Sequence, residues 1–373
     1  MLAVPLAVLA ATGLAAQELG SEFLAVEHYP EREEIVFSLG PIDLPARTSH
    51  HALEQLPVQE GIIPFDMTVD AYHAEAVDRD GRPVPQDVIH HLNLLDPTDR
   101  ELFLPIMRRV FAASHETPPV SVPELLLGVP FEGGDRFWFL AMLHNPTSRS
   151  YEGVRVRLVM NYNRSGTTPL YRMYPFHLDV MFPLGYKAFD LPPGETIRSW
   201  EGSPAIAGAI VGMGGHLHRH ATRLELRDLT EGHLLWVFEP PRTPDGSVEE
   251  VPALLHRGHG LGFPIQPSHT YRVSVTYFNP TRDTIRDGGM GSVAGAIIPY
   301  DWRAWPRADP GDPIYAEDYR NVLVSNEMGG MDTEPSGHDH RPEAEDRSDG
   351  VHDHDGPPPA EGGSPRRSED PGA

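Results

Sequence analysis

Cysteine is absent from all 373 residues. Its absence excludes disulfides, thiolate zinc sites, iron–sulfur clusters and a cysteine nucleophile, so any metal must be held by His, Met or carboxylate. Lysine is nearly absent as well: Lys187 stands beside 29 arginines, which reflects GC-rich coding more than chemistry. Basic clusters are missing, and the net charge is −24, so the surface repels phosphate and nucleic acid is not an expected partner. The sequence contains neither a Gly-Lys-Ser/Thr phosphate loop nor a Gly-x-Ser-x-Gly elbow, which leaves nucleotide hydrolysis and serine-hydrolase chemistry without support. Its carboxylate pairs are too many and too ordinary to mark a glycosidase. Past residue 16 no apolar run is long enough to cross a bilayer, so no membrane span is expected.

Residues 1–16 are apolar and small, too short to span, with Gly13-Leu14-Ala15-Ala16 ahead of the polar Gln17-Glu18-Leu19-Gly20. The segment reads as a signal peptide, although no Lys or Arg precedes it, and it implies an exported, periplasmic or extracellular protein. At the other end, residues 331–373 hold 12 acidic side chains against 4 arginines and have little to bury. An acidic, His-containing disordered tail is expected over residues 311–373. Its repeated His338-Asp339-His340 and His352-Asp353-His354 are either incidental or a weak chelator of copper or zinc.

Punctuation is dense, with 39 Pro and 35 Gly. Between them lie short alternating or β-branched runs such as Arg136–Leu143, Val154–Val159, Arg223–Arg227 and Tyr271–Tyr277, which predict strands. Helical periodicity is confined to Asp99–Ala113, interrupted at Pro105, which predicts a short helix or helical turn between strands. The pattern is all-β and predicts two sandwiches, over residues 22–165 and 166–310.

Three histidine motifs stand in strand contexts: His90-His91, then His144-Asn145-Pro146 after an apolar strand, then His216-Leu217-His218-Arg219-His220. Side chains at i and i+2 of a strand share a face, so His216 and His218 can present two imidazoles to one ion, with His220 next along. His90 and His91 are adjacent and reach one ion together only where the strand ends or bulges. His50-His51 and the stretch from His256 to His259 lie near Pro or Gly and are expected in loops.

The order of these motifs, with Leu191-Pro192-Pro193-Gly194 between the second and third and Tyr277-Phe278-Asn279-Pro280-Thr281-Arg282 and Gly288-Gly289 after them, resembles the copper type II, ascorbate-dependent monooxygenases. These are the peptidylglycine α-hydroxylating and dopamine β-monooxygenase enzymes, and the resemblance covers roughly residues 60 to 300. It implies two tandem jelly-roll sandwiches with one copper on each, facing one another across solvent. His90 and His91 would help hold an electron-storing copper, and His216 and His218 the catalytic copper that binds dioxygen. The family's third ligand to the first copper falls on Met142, so either Met142 or His144 would serve. Its thioether ligand to the second falls on Ala296; Met290 lies six residues earlier and would substitute only if Gly288–Gly291 is a turn. The family's disulfides have no counterpart.

The resemblance implies a monooxygenase that hydroxylates a small-molecule or peptide substrate with a reductant such as ascorbate. Two other readings stay open: a copper carrier on the same fold that lost catalysis with its thioether, and a β-sandwich without metal.

Overall fold

The computed structural model describes residues 21–163, 169–183, 187–241, 243–256 and 260–327. The expected signal peptide, residues 1–16, lies outside them, as do the tail residues from 328 onward.

Where apolar and polar residues alternate, the chain extends and buries every second side chain. Val154, Val156 and Leu158 are buried, with Arg155 and Arg157 between them pointing outward. Tyr271, Val273, Val275 and Tyr277 do the same in the second half of the chain. Eight strands frame the first sandwich, with further strands such as Leu24–Tyr29 added at its edges: β1 (Glu34–Leu44), β2 (Gln59–Ile62), β3 (Met67–Val77), β4 (Ile89–Arg100), β5 (Met107–Ala113), β6 (Leu127–Phe131), β7 (Arg136–Leu143) and β8 (Tyr151–Asn163). Eight build the second: β9 (Tyr174–Asp179), β10 (Gly194–Gly202), β11 (Gly208–Leu217), β12 (Ala221–Asp228), β13 (His233–Phe238), β14 (Phe263–Ile265), β15 (Tyr271–Asn279) and β16 (Gly291–Pro299).

The first sandwich pairs its strands in the orders β1-β8-β3-β6 and β2-β7-β4-β5, and the second in the orders β9-β16-β11-β14 and β10-β15-β12-β13. The two permutations are the same, and each is the jelly roll, in which two Greek keys fold over one another. All-β architecture in two tandem jelly rolls is therefore the fold of this chain. Tyr171-Arg172 still pairs with the first sandwich, so the changeover falls between Arg172 and Tyr174.

The corner after the seventh strand is built twice from one motif. In the first sandwich the Asn145 side chain donates to the carbonyls of Leu44 and Arg149, and its oxygen accepts from the amide and hydroxyl of Thr147. In the second, Asn279 donates to Leu191 and Asp283 and accepts from the amide and hydroxyl of Thr281. Both asparagines are buried. Asn-Pro-Thr is thus a structural corner that satisfies three backbone groups and the threonine hydroxyl where two sheets meet.

The sandwiches share their packing. Val211 and Ile298 of the second are buried in the core of the first, while Leu102 and Phe103, between β4 and β5, are buried in the core of the second. Glu101, fully buried, accepts from the amides of Leu102, Arg109 and His177 and so ties β5 to β9.

Two expectations need correction. The segment 99–113 is not helical: β4 runs on to Arg100 and β5 begins at Met107, because pairing to β7 and to each other satisfies these backbones. The expected disordered tail begins too early, since Pro313–Glu327 forms helix α1. Tyr315 and Val322 of α1 are buried in a cluster with Leu95, Met107 and Trp138, and Asp318 makes a bidentate ion pair with Arg109 at 2.6 and 2.8 Å. That apolar and ionic anchorage was masked in the sequence by a mean composition close to polar.

Candidate metal centre

β4 opens with Ile89-His90-His91 against the end of β7, where the register slips: Met142 pairs with His91, but Leu143 pairs with Ile89. The extra residue is His90 itself, left without a partner on β7, and a bulge re-aims the side chains around it. The rings of His90 and His91, which a regular strand would send to opposite faces, lie 4.3 Å apart between centroids.

Each joins a different group. His90 meets His50 and His144, and His91 meets His216 and His218; within each triad one nitrogen per ring lies within 4.8 Å of the others. Three imidazoles around an ion at about 2.0–2.1 Å require nitrogens roughly 3.3–3.6 Å apart, so a small closure of either triad completes a three-nitrogen set. All six side chains are half-buried.

The first triad is assembled by backbone pairing and one glutamine. Thr48 and Asn145 exchange backbone hydrogen bonds at 2.9 and 2.7 Å, which brings the segment after β1 beside the end of β7. The buried Gln55 side chain then donates to the carbonyls of His50 and Leu143 and accepts from the Leu143 amide. The ring of His144 is oriented by its Nε2 against the Asp87 carbonyl. The rings of His50 and His90 stack at 4.4 Å, and those of His90 and His144 lie 5.2 Å apart.

The second triad draws on both sandwiches. β11 runs antiparallel to β16, with His216 opposite Ser292 and Leu217 opposite Gly291. A side chain on Gly215 would strike the Ser292 carbonyl, so glycine here lets the two strands close beside the site. The rings of His216 and His218 are 5.1 Å apart, and His91 reaches within 4.8 Å of His216, centroid to centroid. Glu116, from the segment after β5, meets the Nδ1 of His216 with one oxygen and lies 3.1 Å from His115 Nδ1 with the other. The Nε2 atoms of His216 and His218 are buried without a hydrogen-bond partner. A buried nitrogen left so is costly unless something accepts its lone pair or its proton.

Electrostatics keep His90, His91 and His218 neutral, the form that binds metal. Burial, followed by the neighbouring imidazoles, drives His90 and His91 well below the usual histidine range. Burial and His216 bring His218 down to about 3. His216 is the exception: burial opposes its charge, but the Glu116 carboxylate outweighs burial and raises it. Burial likewise opposes the Glu116 charge, and His216 outweighs it and holds the carboxyl below the usual range.

Of the residues singled out in the sequence, His90 and His144 fall in one triad and His91, His216 and His218 in the other. His91 is therefore grouped with the second sandwich's histidines, not with His90. Met142 pairs with His91 in register. Ala296 pairs with Gly212, four residues before His216, and Gly288–Gly291 is not the turn that Met290 would need to replace it: strands Ile285–Gly289 and Gly291–Pro299 meet at Met290, next to the Gly291–Leu217 pair. The Tyr277 hydroxyl ties that end of the strand pair together, accepting from the amides of His218 and Met290 and donating to the Met290 carbonyl. His220 leaves the face: it adopts a left-handed φ of 71° in a turn and packs on Gly246.

Two residues escaped the sequence. His50 was expected in a loop, and it does lie outside the strands, but Gln55 folds that loop onto the site. Its one signal was a second adjacent pair, His50-His51. Glu116 had no motif at all; its role comes from the packing of the β5 end against β11.

No family model and no curated protein sequence matches the chain. Among solved structures, the major capsid protein P2 of bacteriophage PM2 aligns over 70% of this chain and 99% of its own, at 11% identity and a TM-score of 0.32. A peptide-N(4)-(N-acetyl-beta-D-glucosaminyl) asparagine amidase aligns over 69% of this chain and 96% of its own, at 11% identity and a TM-score of 0.33. Both likenesses are slight and bear on no residue of the site.

Proposed function

We propose that the chain is an exported, copper-dependent oxidoreductase of the monooxygenase kind, whose two metal positions are the His50–His90–His144 and His91–His216–His218 triads. The observation that carries this reading is the second triad's pair of buried, unpartnered Nε2 atoms beside a histidine held by a buried carboxylate. A carboxylate on the far nitrogen of a ligating histidine fixes its tautomer and raises its basicity toward an ion. All-imidazole donors without thiolate suit copper.

Copper held there would supply one-electron redox change and activation of dioxygen. Hydroxylation of a C–H bond places one oxygen atom in the product and releases the other as water, consuming two electrons and two protons from a small reductant such as ascorbate. The chain's own part is positional. Glu116 keeps the proton of His216 on Nδ1 and turns Nε2 inward; Tyr277 sets the backbone of His218 against that of Met290; Asp87 orients His144. Half-buried rings and the surrounding strands limit access of bulk water, which suppresses wasteful release of reduced oxygen.

The test is reductant-driven oxygen consumption by the copper-loaded protein. Uptake that needs ascorbate and is lost in His216→Ala/His218→Ala supports the reading. A second reading, a copper carrier, is favoured by the placement of Ala296 where the family has its thioether; tight copper binding with no oxygen uptake would establish it instead.

A further inference from the structure

Two metal positions on separate jelly rolls would be independent centres, each with its own ligands from its own sandwich. The histidines are arranged otherwise. His90 and His91 are consecutive, their rings are 4.3 Å apart, and they belong to different triads. A second approach links the triads directly, since His90 of one lies 6.2 Å from His218 of the other. These separations between triads are comparable to those within them, where His90–His144 is 5.2 Å and His216–His218 is 5.1 Å.

We propose that the two triads form one binuclear centre, with the His90-His91 dipeptide as its spine and His91 as the ligand that the first sandwich contributes to the second. The proposal rests on the copper reading above and extends it. Successive Cα atoms are about 3.8 Å apart, so ions held by neighbouring residues whose rings converge are themselves neighbours. The bulge at His90 is what makes the rings converge, because without the register slip between Met142 and Leu143 they would point to opposite faces. Two coppers held by these six histidines would supply two one-electron redox changes at one place, with no transfer between remote sites. It also makes the second position dependent on the contact between sandwiches, because its triad is complete only when β4 and β11 meet.

The experiment is electron paramagnetic resonance of the full chain loaded with one and then two equivalents of Cu(II), with His338, His340, His352 and His354 replaced by Ala so that the tail binds none. His50→Ala/His144→Ala and His216→Ala/His218→Ala supply the spectra of each position alone. For a paired centre, the two-copper spectrum departs from the sum of the single-position spectra, through lost intensity or a half-field transition. The titration of the otherwise intact chain gives the same comparison without the site variants. A two-copper spectrum that equals the sum overturns the pairing and leaves the copper reading standing. Failure to take up copper at all overturns both.

Discussion

Glu116 and His216 are 100 residues apart in the chain and bonded side chain to side chain, the carboxylate on Nδ1 and the opposite ring nitrogen buried without a partner. The pair explains why a glutamate is buried after β5 at all. A buried carboxylate persists where a cation or a donor compensates it, and His216 supplies the donor.

Replacing Glu116 by Gln keeps the shape and removes the charge. The ring then loses its fixed tautomer, and affinity for copper at the second triad is expected to fall about 10–100-fold. A competition titration against a chelator reads this directly, and the first triad should bind as before. Unchanged affinity at both positions would show that Glu116 serves packing alone.

The paired corners make a prediction about stability. Asn145→Ala and Asn279→Ala each orphan one carbonyl, of Leu44 or Leu191, and one amide, of Thr147 or Thr281, while the threonine hydroxyl still serves the second carbonyl; each group left unsatisfied costs about 1–3 kcal/mol. Each variant should therefore lose at least about 2 kcal/mol in denaturant unfolding. Asn279 lies beyond the triads, so its variant should bind copper normally at low temperature, whereas Asn145 follows His144 and its loss should also weaken the first position.

Helix α1 should be part of the folded protein. Arg109 and Asp318 are both largely buried, so Asp318→Ala strands the guanidinium, at a cost of about 3–5 kcal/mol. Truncation after Glu327 should preserve the melting temperature, and truncation after Asp312, which uncovers Trp138, should lower it. Equal melting temperatures for the two truncations would contradict the anchoring role of α1.

Much of this was legible in the sequence because strands announce themselves by alternation: Val154–Leu158 and Tyr271–Tyr277 are buried at every second residue as their pattern implies. The histidines at the start of β4 and at the ends of β7 and β11 were legible as well, since adjacent pairs and i, i+2 spacing are local properties. Grouping was not. Whether His91 sides with His90 or with His216 depends on one bulge and on how two sandwiches dock, and neither leaves a mark in the local pattern. Glu116 and His50 stayed hidden for the same reason, being brought in by tertiary contacts of segments outside the strands. Residues 99–113 misled because Asp96–Met107 holds an irregular crossing whose spacing imitates a helical turn. The Asn-Pro-Thr repeat, read as part of a family pattern, is in this fold a corner that each jelly roll needs.

Six histidines that hold two ions should show themselves most directly in copper content. Measured on the full chain with the four tail histidines replaced by Ala, it should be two tightly held coppers per chain, falling to one in His216→Ala/His218→Ala with the fold intact. Copper no higher than background, or two coppers retained in the double variant, would contradict the account.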